Sequence, residues 1–112
     1  MSDDPGIFEI MHSMRTMRRL KPDPVPQEMI HKILDAGIRA PSGQNTQRWG
    51  FLVVTDEEGK RFFGERYDYW MRNRFGDAIV DIDTSTSNGR TIKAAMHLSE
   101  NMHEAPTLLF CC

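Results

Sequence analysis

Apolar residues recur at helical spacing in four stretches of this chain and run together in two others. Ile7, Ile10, Met11 and Met14 fall three or four apart, with Glu9, His12 and Ser13 opposite them. That spacing predicts an amphipathic helix over about residues 6–16. A second helix is predicted from Pro26, with Met29, Ile30, Ile33, Leu34 and Ile38 on its buried face. Proline suits a first helical position, and Pro41 disfavours helical geometry at Ala40 and so closes the helix. The short β-rich run Phe51-Leu52-Val53-Val54, bounded by Gly50 and Thr55-Asp56, predicts an interior strand.

Asp56 is placed to cap a third helix whose broad apolar face carries Phe62, Phe63, Tyr67, Trp70, Met71 and Phe75. Gly59 and Gly64 weaken that helix, and Gly76 is its expected stop. Residues 77–90 hold acids, a Ser-Thr-Ser run and Asn88-Gly89 without periodicity, and predict a mobile surface loop. A fourth helix is predicted over about residues 91–104, carrying Ile92, Ala95, Met96, Ser99 and Met102 on one side and stopping before Pro106. Thr107 to Cys112 then reads as a second apolar strand. Two strands alone form a marginal sheet. Either other subunits complete it, or the chain is the front portion of a longer polypeptide.

Composition narrows the class. At 112 residues, 39% apolar and 27% charged, with a formal charge of −2, the sequence fits one domain or part of one and gives no global sign of nucleic-acid binding. The N-terminus lacks the basic and apolar regions of a signal peptide, and no apolar run is long enough for a bilayer, so the default expectation is a cytoplasmic protein away from membranes. Cys111 and Cys112 are adjacent and read as two buried thiols ending a strand.

Against that mild overall charge, Arg15, Thr16, Arg18, Arg19 and Lys21 gather four cations and a hydroxyl with no acid among them. Guanidinium forks can hold a phosphate in bidentate fashion, and Thr16 adds a donor. Met14, Met17 and Leu20 interleave with the cations and are expected to pack inward. A solvated basic helix end, favoured by the helix dipole, is the competing reading. The junction from Ala40 to Trp49 is mostly small or polar, and its Ser42, Gly43, Gln44 and Asn45 offer backbone N–H groups, a hydroxyl and two amides to the edge of a planar heterocycle. Taken alone, the junction is better read as an ordinary polar helix-to-strand loop. Trp49 reads as a core anchor.

His12, His31, His97 and His103 are scattered without metal-ligand spacing, and Asp77, Asp81 and Asp83 lack the glycine turn and closing Glu of a calcium loop. Ser13, Ser42 and Ser87 sit in no nucleophile elbow. The reading therefore assigns no metal site and no catalytic residue.

The two motifs, taken in order, resemble the nitroreductase family of FMN-dependent oxidoreductases. Arg15-Thr16-Met17-Arg18-Arg19-Leu20 is similar to the family's Arg-Ser-x-Arg-x-Phe phosphate motif and is followed by Lys-Pro-Asp-Pro-Val-Pro. Ala40-Pro41-Ser42-Gly43-Gln44-Asn45-Thr46-Gln47-x-Trp49 is similar to its Ala-Pro-Ser-x-x-Asn-x-Gln-Pro-Trp, and Glu104-Ala105-Pro106 before an apolar strand fits as well. The resemblance implies an α+β fold, helices flanking a central, mostly antiparallel sheet that is incomplete here, with residues 1–112 the N-terminal portion of one FMN-binding domain.

It also implies a homodimer with FMN across the interface and NAD(P)H as electron donor to a small organic acceptor. Arg15, Thr16 and Arg18 or Arg19 would hold the flavin phosphate, while Pro41, Ser42, Gly43 and Asn45 approach the ring from the other subunit. Many members carry a further Arg where this chain has Met14, and Arg48 stands at a common Pro. Family domains continue for roughly another such length. A non-catalytic remnant or assembly partner that keeps only an anion pocket is the alternative.

Overall fold

Like charges three and four residues apart repel on a helix, and Arg15, Arg18 and Arg19 have that spacing. In the computed structural model, which describes residues 4–76 and 82–112, helix α1 (Ile7–Ser13) stops before them: Met14 is extended, with φ −63° and ψ 131°. The basic cluster therefore lies on an irregular segment with a bend at Arg19, not in the last turn of a helix as the periodicity predicts. Met14, Met17 and Leu20 do not pack inward either; they are exposed.

Helix α2 (Gln27–Gly37) starts after Pro26 as expected. Of its predicted apolar face only Ile30 is buried, while Met29, Ile33 and Ile38 are exposed. Strand β1 (Phe51–Val54) pairs antiparallel with β2 (Leu108–Cys111), Phe51 opposite Cys111 and Val54 opposite Leu108. Reciprocal bonds between Gly50 and Cys112, at 3.1 and 2.8 Å, extend the ladder by one pair. Both cysteines are exposed, not buried, because no further layer covers this end of the pair.

Helix α3 (Glu57–Phe75) is capped by Asp56, whose Oδ2 accepts from the Gly59 N–H at 2.7 Å, and stops at Gly76 with a positive φ of 51°. It lies on β2 through Phe63 and Phe110, whose ring centroids are 4.4 Å apart. Against it packs α4 (Ser87–Asn101), and Met71, Met96 and Ser99 are buried between the helices. Ser99 Oγ stands 3.0 Å from both Asp68 Oδ1 and its own-helix Met96 carbonyl. Asp68 in turn accepts from Arg72 Nε at 2.8 Å, which holds the guanidinium more firmly protonated than usual.

Helix α4 begins four residues earlier than the sequence predicts, so Ser87 to Arg90 are helical. The cause is local: Thr86 Oγ1 accepts from the Gly89 N–H at 3.0 Å, and Asp83 Oδ1 accepts from the Ser85 hydroxyl and N–H at 2.6 and 2.9 Å. Those bonds, the hydroxyl first, hold the Asp83 carboxyl below its ordinary pKa. Their stabilisation is complete above the ordinary carboxylate range and fades as acid carries the pH down through the lowered value. Residues 77–81, the rest of the expected loop, lie outside the described residues, and with them Asp77 and Asp81.

Gly89 admits no side chain. A Cβ there would overlap the Asp83 carbonyl oxygen, with the carbonyl carbon 2.7 Å and Thr86 Oγ1 3.0 Å away. Gly89→Ala is expected to destabilise the chain by about 1–3 kcal/mol, as other overpacked sites do; a thermal or urea melt indistinguishable from wild type would show that the turn yields freely.

Candidate functional site

Among the described residues, the segment after α1 presents its cations without carboxylate partners. Arg15 and Thr16 are exposed and Arg18 is half-buried. Among the described residues, every ion pair is made elsewhere, by Lys32, Arg39, Lys60, Arg61 and Arg72. Arg18 lines a narrow cleft against α4 with His97, Asn101 and Glu104. Arg19 reaches the same helix, its Nη1 lying 3.3 Å from His97 Nδ1, and shares a cleft of about 370 Å³ with Lys93 and Thr84. Uncompensated guanidiniums on an acid-free segment fit an anion, because bringing a phosphate to them breaks no existing pair.

The junction loop is shaped by backbone conformations that the sequence does not announce. Gln44, Asn45 and Gln47 all have positive φ, at 54°, 54° and 51°, a region that costs non-glycine residues energy. Internal bonds hold it there. Ser42 Oγ accepts from the Gln47 N–H at 3.1 Å, Thr46 Oγ1 donates to the Gly43 carbonyl at 2.9 Å, and Gln47 Nε2 donates to Asn45 Oδ1 at 2.7 Å. The Asn45 and Thr46 N–H groups close onto Ser42 and Gly43. Among the described residues the N–H groups of Gly43 and Gln44 donate to nothing, and the loop is exposed except at half-buried Ser42 and Trp49. It is a braced, strained loop offering donors outward, which suits the polar edge of a ring.

The clefts that take in Arg18 and Arg19 are walled by α4, and none of Pro41, Ser42, Gly43 or Asn45 lines them. A further cleft of about 540 Å³, with Pro22, Val25, Ile30, Val53, Lys60 and Thr107 in its walls, contains no predicted site residue at all. Sequence reasoning missed His97 and Asn101. Nothing in the spacing joins Arg19 to a histidine 78 positions away. The strain at Gln44 and Gln47 was equally invisible, because glutamine carries no signal for positive φ. Trp49, expected as a core anchor, is only half-buried.

A braced donor loop follows a helix, and an acid-free arginine segment stands ahead of it, on a small α+β scaffold. The sequence model of the nitroreductase family matches residues 12–111, and the chain belongs to that family. Among its relatives, an NADH dehydrogenase of Thermus thermophilus is 45% identical over 67 residues, covering 60% of this chain and 29% of that protein. The iodotyrosine deiodinase of Danio rerio is 38% identical over 53 residues, 47% of this chain and 18% of its own length. A putative NADH dehydrogenase/NAD(P)H nitroreductase of Methanothermobacter thermautotrophicus is 36% identical over 52 residues, 46% of this chain and 27% of that protein. The aligned stretches thus span less than a third of each of these relatives. Among the described residues, no helix is long and apolar enough to cross a membrane.

Proposed function

We propose that this chain is the N-terminal part of an FMN-dependent oxidoreductase that passes electrons from NAD(P)H to a small organic acceptor, working as a cytoplasmic homodimer. The observation that carries it is the set of guanidiniums without carboxylate partners on the family's phosphate motif. Arg15, Thr16 and Arg18 would hold the flavin phosphate, with Arg19 supporting them from its contact on α4. Pro41, Ser42, Gly43 and Asn45 would meet the ring, the free N–H groups beside them donating to its polar edge. When bound, FMN supplies the redox chemistry, taking hydride from the nicotinamide and passing electrons on. The protein anchors, orients and tunes; no side chain here is assigned as nucleophile or base.

Two-fold assembly is supported by the apolar surface a single chain leaves uncovered. Ile7, Phe8 and Met11 on α1 are 69%, 73% and 62% exposed, and Met29 and Ile33 on α2 are 54% and 53% exposed. The clefts lined by Arg18 and Arg19 take in none of Pro41, Ser42, Gly43 or Asn45, which is the arrangement expected if each part serves a different subunit's flavin. The relatives' names favour NADH as the donor to try first, and include both nitroreductase and deiodinase chemistry among acceptors.

Purified protein incubated with FMN is expected to carry flavin absorbance through gel filtration at the mass of a dimer, and to bleach on adding NADH without oxygen. A monodisperse, colourless protein that takes up no FMN would instead support the second reading, a non-catalytic form that keeps only the anion pocket. That reading draws on the same separation of the two parts within one chain.

A further inference from the structure

We infer that His97 is a positioning residue for the phosphate-anchoring segment: its neutral imidazole, with Nδ1 unprotonated, is the acceptor that fixes Arg19, and through it Arg15 to Arg18, against α4. What the segment carries rests on the flavin reading above; the contact itself does not.

Residues 15–25 form no helix or strand. Among the described residues the only hydrogen bond they make, through backbone or side chain, is the one between Arg19 Nη1 and His97 Nδ1. The placement of the whole arginine segment thus hangs on one polar contact and the shallow clefts around it. The tautomer follows from the donors. A guanidinium can only donate, so Nδ1 must present its lone pair. Asn101 points the same way: its Nδ2 donates to the His97 carbonyl at 2.9 Å, which identifies the amide end, and stands 3.5 Å from the same Nδ1. Two donors converge on one nitrogen, so the ring proton sits on Nε2.

The charges facing the imidazole are mostly cationic. Arg18 and Arg19 approach from the segment, Lys93 and Glu100 lie on α4, and Glu104 follows in the next turn. Glu100 is already paired with Arg72 at 3.2 Å. An uncharged acceptor in place of the ring should therefore hold the segment as the imidazole does.

Three variants separate this from a merely structural histidine. His97→Gln keeps an acceptor that does not titrate, His97→Ala removes it, and Arg19→Met removes the donor from an exposed position without touching α4. At about pH 8, trypsin cleavage after Arg15 and Arg18 is expected to be roughly tenfold faster in His97→Ala and Arg19→Met than in wild type or His97→Gln. Long-range proton–nitrogen NMR of the wild type should show Nδ1 unprotonated. Equal cleavage rates in all forms, or a protonated Nδ1 at neutral pH, would overturn the inference. If cleavage and NMR behave as expected while FMN fails to bind the wild type, the positioning role stands and the flavin reading falls.

Discussion

Replacing Arg15 and Arg18 together by Ala is expected to weaken FMN binding by about a hundredfold to ten-thousandfold. Hydrogen bonds to charged groups contribute about 1.5–3 kcal/mol each, and the two arginines flank Thr16 on one short segment, so both are counted against one phosphate. Neither guanidinium is paired with a carboxylate in the described residues. Removal therefore leaves no buried acid stranded, and the fold should be indifferent to it. Flavin fluorescence titrations at two salt concentrations check the result: the wild-type constant should weaken with salt, as screened charge contacts do, and the double variant should respond less. A change of less than about threefold, against the expected charge-assisted contribution, would return the cluster to a solvated basic surface.

Met71→Ala is expected to cost about 2–5 kcal/mol of folding stability, the range for emptying a buried methionine site. Met71 is 3% exposed between α3 and α4, beside the Asp68–Ser99 bond that ties the same two helices. The matched comparison is Met29→Ala, since Met29 is 54% exposed on α2. If that face meets a second subunit, Met29→Ala should leave unfolding of the dilute monomer nearly unchanged and raise the dimer dissociation constant. Denaturation at low protein concentration, alongside sedimentation equilibrium, separates the two, because dimer stability depends on concentration and monomer packing does not. Equal losses in both variants at low concentration would mean that α2 packs within its own chain.

These two methionines show where periodicity stops being informative. Both sit at helical spacing among apolar neighbours, and the sequence puts both on buried faces. The structure buries one and leaves the other to solvent, because burial depends on what stands opposite, and α3 has α4 and β2 opposite it while α2 has little. The same holds for Met14, Met17, Leu20 and the two cysteines, each expected inward and each found exposed.

Local signals fared better. Asp56, Gly76 and Pro26 act on their immediate neighbours, and the start of α2, the limits of β1 and both ends of α3 stand, whereas α2 ends at Gly37, three residues before Ala40, where Pro41 is expected to close it. The start of α4 was misjudged because a Thr-capped turn looks like any polar stretch until its bonds are drawn. The end of α1 was misjudged because its pattern runs on past the point where arginine repulsion stops it.

By itself the sequence determined the family, the order of helices and strands, and the two motifs whose residue types suit an anion and a ring edge, since all of these are written in local chemistry and spacing. Only the tertiary structure decided that the arginine segment lies outside the helix and is tied to His97, that Gln44, Asn45 and Gln47 hold strained backbone, and that the clefts lined by Arg18 and Arg19 take in none of the junction residues. Those facts depend on contacts between residues far apart in sequence, and no local pattern records a partner 78 positions away.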